Sequence, residues 1–311
     1  MSGPACPACG GPLAVWIEVP AGEPADPAPY PLLRCGACGS AVTGGVAPVA
    51  DSYVTGDYAP APPRLAGLLG AVQHLTTRQP VRMLRSVGVR TGAHVLDAGA
   101  GRGKLVRALG EAGFDARGIE PAARAGAGLP IAASSIAEHD DSNLDAVVLW
   151  HVLEHLDDPC GSLELVRSWM RPGGVLLVGV PNLDSWQARV AGHGWLHYDA
   201  PRHRTHFTLA GLRALLERTG YEVVKVEQLV WEFNPASMWM ALLTRLGMSP
   251  GFPFHLLKRN APLRARDLAL LAIAGPLLAL PALLLELAAA AGDRGGTIAV
   301  VASATPGGQA A

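Results

Sequence analysis

One stretch, "VLDAGAGRGKLVRAL" at residues 95–109, constrains this chain's fold more than any other. An apolar strand pattern ends on Asp97, three glycines follow at 99, 101 and 103, and a helical pattern begins at once. A strand, a tight glycine turn and a helix N-terminus together let backbone N–H groups meet a nucleotide-like ligand at the carboxyl edge of a parallel sheet. Glycine supplies both the positive φ and the close backbone approach that such a turn needs. The dinucleotide fingerprint G-x-G-x-x-G would place its third glycine at 104, where this chain has Lys104. A pyrophosphate cradle of that kind is therefore not matched.

Strand and helix patterns alternate around this turn. From His94, "HVLDAG", "DARGIEP", a short "LPIAASS", "LDAVVLW" and "VLLVGVP" read as strands. The helices "KLVRALGEAG", "CGSLELVRSWM" and "TLAGLRALLERTG" lie between and after them, and "RPGG" reads as a turn. "YEVVKVEQLV" is a further strand, and after a long interruption from 232 "GTIAVVAS" reads as the last. A helical pattern at 65–86, interrupted near Pro80, precedes the series. This alternation predicts a doubly wound α/β sheet. With half of the 311 residues hydrophobic and 16% charged, a large core is readily filled.

The run D-A-G-A-G-R-G resembles the first motif of class I S-adenosylmethionine-dependent methyltransferases. "SSIAEH", "LDAVVLWHVLEHLDDP" and "WMRPGGVLLVGVPN" follow in that family's order, so the resemblance extends from about residue 90 onward. It implies a Rossmann-like seven-stranded methyltransferase sheet that binds S-adenosylmethionine. It further implies that Gly99, Gly101 and Gly103 bring backbone close to the methionine part and that Asp97 holds its ammonium. Glu120 would take the ribose hydroxyls, Ser135 and Ile136 the adenine edge, and Trp150 a place beside the cofactor. At the adenine-edge positions themselves this chain has Ser135 and Ile136 in place of the acidic residue the family often carries there.

Methyl transfer to oxygen needs an aligned nucleophile and a group to take its proton. His151, Glu154 and His155 after the "LDAVVLW" strand, and His203 in the later loop, are the candidates. His151 is the first choice as base; the alternative is that this trio braces the segment. His151 and His155 could also share a metal at i, i+4, but their order is not H-E-x-x-H and no third ligand is evident. The loop "GHGWLHYDAPRHRTHF" also carries His193, His197, Asp199, Arg202 and His206; the resemblance implies a lid here, in which Arg202 and His203 could hold an acceptor anion, and the alternative is a solvent-facing loop tied by local hydrogen bonds.

"CPACGG" and "CGACGS" place Cys6, Cys9, Cys35 and Cys38 in two C-x-x-C-G knuckles, the spacing of a closed structural zinc site. Cys160 stands alone. Without a basic n-region followed by an apolar stretch at the N-terminus, a cytoplasmic protein is expected, and reduced thiols favour metal over disulfide. The expected organisation is a zinc ribbon at 1–50, a linker at 51–64, and a methyltransferase domain at 65–231. A helical apolar insertion at 232–292 and a last strand at 293–305 complete it. Formal net charge is −1, and the first 50 residues hold one basic residue, Arg34, which argues against a nucleic-acid partner.

Residues 268–285, "LALLAIAGPLLALPALLL", lack any charge and follow Lys258, Arg259, Arg264 and Arg266. Length alone allows a membrane span. Pro276 and Pro281 would interrupt one, and a last strand returning to the sheet would forbid a single crossing. The expectation is an interfacial or re-entrant amphipathic element, or an apolar hairpin packed on the domain, with contact to the inner face of a membrane favoured; the alternative is a core or dimer helix. The functional expectation is methylation, at oxygen, of a small-molecule or lipid-linked acceptor. An RNA methyltransferase using the ribbon and an inactive cofactor-binding scaffold are the rivals.

Overall fold

The computed structural model describes residues 4–26, 28–45, 78–121, 128–258 and 260–305. The expected linker at 51–64 and the first part of the 65–86 helix lie outside them. Near the N-terminus, β1 (Leu13–Pro20), β2 (Pro29–Cys35) and β3 (Ala41–Thr43) form an antiparallel meander. Then come α1 (Arg78–Ser86), which runs through Pro80, β4 (His94–Ala98), α2 (Lys104–Glu111), β5 (Asp115–Ile119) and the two-residue β6 (Ile131–Ala132). β7 (Leu144–Trp150) leads to α3 (Pro159–Trp169), and β8 (Met170–Pro181) follows directly. Asp158 caps α3, accepting from Gly161 N at 2.9 Å, and Pro159 takes the first helical position, where its missing N–H costs nothing.

The "RPGG" turn expected before β8 is a bulge inside it. Leu144 pairs with Met170 but Ala146 with Val175, so residues 171–174 are looped out around Gly173 at φ +73°. After α4 (Trp186–Ala191) come β9 (Thr205–His206), α5 (Leu209–Arg218), capped by Thr208, and β10 (Tyr221–Glu227). The long insertion holds α6 (Asn234–Arg245), α7 (Phe252–Leu257) and α8 (Ala265–Ala291), and the described chain ends on β11 (Thr297–Ala304).

The main sheet has the order β10-β11-β8-β7-β4-β5-β6, with β11 antiparallel to both neighbours and the pairs from β8 to β6 parallel. Buried on both faces, its central strands are continuously apolar: Val147, Val148, Leu149, Leu176, Leu177 and Val178 are all buried. One face packs Leu163, Val166, Leu212 and Leu215 of α3 and α5; the other packs Met83, Leu84, Val106 and Leu109 of α1 and α2. The chain turns back between β4 and β7, and a crevice opens at their carboxyl ends there.

The N-terminal meander is joined to this body through β9, which pairs antiparallel with β3 in a second, four-stranded sheet. Cys6, Ala8 and Cys35 pack in the same apolar cluster as Leu149 and Phe207.

The apolar segment is one continuous 27-residue helix, α8, with Pro276 and Pro281 inside it, so neither a hairpin nor a re-entrant loop is formed. Each proline removes one i→i−4 bond, but the helix is anchored along its length. Trp239 Nε1 donates to Gly275 O at 2.7 Å, and Glu286 accepts from Gly296 N and Gln187 Nε2 at 2.8 Å.

Candidate active site

At the β4–β7 crevice lies a cavity of about 500 Å³. Asp97, Gly99, Gly101, Glu120, Ser135, Ile136 and Trp150 line it, as do His151 and His155. The glycine turn is held by Gly99 N and Ala100 N donating to Ile119 O at 2.8 and 2.9 Å. All three glycines have positive φ, but for different surroundings. A Cβ on Gly101 would meet open space, which leaves its backbone accessible from the cavity. One on Gly103 would lie 2.4 Å from Leu129 Cδ1 and 2.6 Å from Ile131 Cδ1. Gly103 is absent from the lining; it lets the start of α2 pack onto the 129–131 segment.

Glu120 reaches back over this turn, its Oε2 accepting from Gly101 N at 2.8 Å. Asp97, buried at the end of β4, has its carboxyl pushed up to about 7, first by burial and then by the neighbouring charge of Glu120. A cationic group arriving between the two would relieve both effects. Ser135 is engaged with a carboxylate: Glu138 Oε2 accepts from its Oγ at 2.8 Å and its N at 3.1 Å.

His151 sits just beyond β7 with φ +56°, an uncommon conformation for a residue other than glycine and one that clusters at functional sites. Its Nδ1 lies 3.2 Å from Glu154 Oε1, while its buried Nε2 has no hydrogen-bond partner among the described residues. Trp150 and Phe233 flank the ring edge-on at 5.9 and 4.4 Å between centroids. Glu154 is fully buried beneath His151 and does not line the cavity. Burial alone would raise its pKa, but the His151 hydrogen bond and the surrounding imidazoles outweigh burial and hold it down to about 2. A carboxylate so placed fixes the imidazole's orientation and tautomer.

A sequence model of the family described as "Methyltransferase domain" matches residues 72–226, and the glycine turn, Glu120 and His151 all fall inside that span. The chain belongs to the class I S-adenosylmethionine-dependent methyltransferases. Among curated relatives, the ubiquinone biosynthesis O-methyltransferase of Dinoroseobacter shibae is 29% identical over 185 residues, 53% of this chain and 73% of that protein. The enzyme of the same name from Cupriavidus pinatubonensis is 25% identical over 171 residues, 49% and 68%. Among solved structures, an S-adenosylmethionine-dependent methyltransferase from Archaeoglobus fulgidus aligns at TM-score 0.47 and 19% identity, over 74% of this chain and 94% of that one. The Burkholderia thailandensis 1,6-didemethyltoxoflavin-N1-methyltransferase aligns at 0.47 and 16%, over 86% and 96%.

In this methyltransferase the loop expected to be a lid is part of the interior. Trp195 and Tyr198 pack with Val19 and Leu32 of the meander, and His203 and His206 are buried. His203 is therefore outside the cavity lining, its Nδ1 bonded to His197 O at 2.7 Å. His155 Nδ1 is bonded to Arg202 O at 3.1 Å, and the two rings meet edge-on at 4.5 Å. Together with Glu154 they bring one polar atom each within 4.8 Å. With Nδ1 of both rings committed to backbone, this cluster reads as the wall behind His151. Burial, reinforced by neighbouring imidazoles, lowers His155 to about 4 and His197 and His206 to about 3.

Arg202 borders the cavity but does not offer a free charge to an acceptor anion. Its guanidinium pairs with Asp199 and with Glu23 from the meander. Two lining residues lie beyond every motif read from the sequence. Glu232 accepts from Trp150 Nε1 at 3.3 Å, and Phe233 meets the His151 ring edge-on. Both belong to the start of the insertion, 82 and 82 residues along the chain from their partners, so no local pattern marks them.

The four knuckle cysteines of the methyltransferase converge. Cys6 and Cys38 Sγ are 3.8 Å apart and Cys9 and Cys35 Sγ 3.5 Å, far beyond a disulfide bond. A tetrahedron with zinc–sulfur bonds of about 2.3 Å has edges of about 3.8 Å. The donor set thus fits zinc. Cys160 lies outside this group.

Proposed function

We propose that this methyltransferase methylates a hydroxyl oxygen of a small-molecule acceptor, with His151 as general base and Glu154 as its positioning partner. The observation that carries the reading is His151 itself. It borders the cavity at the β7 end in a left-handed backbone conformation, with Nδ1 on a buried carboxylate and Nε2 unpartnered.

S-adenosylmethionine, when bound, supplies a methyl group on an electrophilic sulfonium. The glycine turn, Asp97 and Glu120 would hold it, with Ser135, Ile136 and Trp150 beside it. His151 Nε2 would take the proton of the acceptor hydroxyl as its oxygen receives the methyl group. Glu154 stabilises the resulting imidazolium. Trp150 and Phe233 keep water from the imidazole, and a neutral imidazole suits deprotonation near neutral pH.

The relatives' O-methyltransferase names agree with an oxygen acceptor. An acceptor with a hydrocarbon tail is supported by a second groove of about 470 Å³. Pro235, Ala236 and Trp239 of α6 face Leu271, Gly275 and Pro276 of α8 across it, and it begins one helical turn from Phe233. The four thiolates are assigned a structural zinc; with no open coordination position it orders the knuckles and takes no part in the chemistry.

Turnover of a panel of hydroxylated aromatics, with and without an alkyl chain, tests this in wild type and His151→Ala. The substitution is expected to lower kcat by about 10²–10⁴-fold with cofactor affinity preserved. Unchanged turnover removes His151 as base.

A further inference from the structure

Helix α8 is built the wrong way round for water. Its buried stripe consists of Asp267, Gly275, Ala282, Glu286 and Ala289, so both of its acidic residues after Ala265 turn inward. Its exposed surface carries Leu268, Ile273, Leu277, Leu280, Leu284 and Leu287, with Leu277 72% and Ile273 69% exposed. From Leu268 to Ala291 no polar side chain is exposed. A helix on a soluble surface shows the opposite pattern, apolar toward the body and charged outward.

We propose that this face of α8 seats in the acyl boundary of a lipid leaflet, lying along the surface. Three observations select lipid over a second protein chain and an in-plane helix over a crossing. Protein interfaces are about 56–65% apolar with polar rims, whereas this face spans 24 residues, about 36 Å, without a polar group. Exposed Arg264 and Arg266 stand at its start, where anionic headgroups would meet them. Only residues 292–296 separate α8 from β11, which lies between β8 and β10, so the far end of the helix is held against the sheet.

Such seating brings the α6–α8 groove to the leaflet. The placement itself is independent of the acceptor chemistry, and its test reads no turnover.

Full-length protein is floated with vesicles of phosphatidylcholine alone and of phosphatidylcholine with phosphatidylglycerol. Wild type is expected to float, and more strongly on the anionic vesicles. Leu277→Glu/Leu280→Glu should cut binding at least tenfold with S-adenosylmethionine affinity unchanged, which certifies its fold. Arg264→Glu/Arg266→Glu should remove the preference for anionic vesicles, about fivefold per arginine. The proposal is overturned if wild type stays in the soluble fraction with both vesicle types, or if the glutamate pair floats equally well. A wild-type dimer that does not float and that the glutamate pair dissolves would assign the face to a second copy instead.

Discussion

Asp97 offers the sharpest test of the cofactor assignment. In the folded protein its carboxyl is raised from 3.8 to about 7 by burial and by Glu120, so near pH 6 it is mostly neutral. The unfolded chain releases that proton near 3.8. The contribution of Asp97 to the stability of the empty protein therefore declines as pH rises from about 4 to 7, by a total of order 4 kcal/mol. An ammonium bound between Asp97 and Glu120 reverses the preference, because it requires the carboxylate. If only that form binds, apparent affinity follows the ionised fraction and rises roughly fifteenfold between pH 5.5 and 7, where an α-amino group stays protonated. Calorimetric titration with S-adenosylmethionine across that range, in buffers of differing ionisation enthalpy, reads both the affinity and the proton released. Asp97→Asn should flatten the pH dependence, weaken binding at pH 7 and stabilise the empty protein. A flat wild-type profile, or an Asn variant with the wild-type slope, would refute the reasoning.

Three further outcomes are expected. Gly103→Ala, strained at φ +78° and driven into Leu129 and Ile131, should lower stability by about 1–3 kcal/mol in urea unfolding, whereas Gly101→Ala, which meets open space, should weaken cofactor binding more than folding. His155, His197 and His206 are depressed below their unfolded value of 6.5, so their contribution is complete above pH 6.5 and is lost as pH falls toward 4. Against the single opposing proton of Asp97, stability should fall by roughly 3 kcal/mol per pH unit in that window, measured by denaturant midpoints. Elemental analysis should find one zinc per chain, and chelation or Cys35→Ser should lower Tm and loosen the Thr208 cap of α5, because Thr208 Oγ1 donates to Cys38 O at 2.7 Å.

The main-sheet strands, the helices between them and the glycine turn were legible because each is encoded within a few neighbouring residues. Apolar runs bounded by turn residues mark buried strands, and three closely spaced glycines mark a sharp turn. The knuckle cysteines were legible for the same reason, since C-x-x-C bends the chain by itself. "RPGG" was recognisable as a reversal, but whether it ends an element or bulges from one depends on the β7 partner it pairs with.

What the sequence by itself determined is the order of the main-sheet strands and the helices between them, the place of the cofactor turn on β4 and the cysteines that could meet. These follow from periodicity and local backbone chemistry. Only the tertiary structure decided that the histidine loop is interior, because Trp195 and Tyr198 find their partners in the distant β1–β2 hairpin. It alone closed Arg202 onto Glu23, withdrew Glu154 and His203 from the cavity wall and brought Glu232 and Phe233 into it. It also carried α8 unbroken through two prolines and turned that helix's acids inward, because Gln187, Gly296 and Ser249 wait there with hydrogen bonds. Contacts between residues far apart in the chain leave no periodic trace along it, and such contacts set which groups face the reacting atoms.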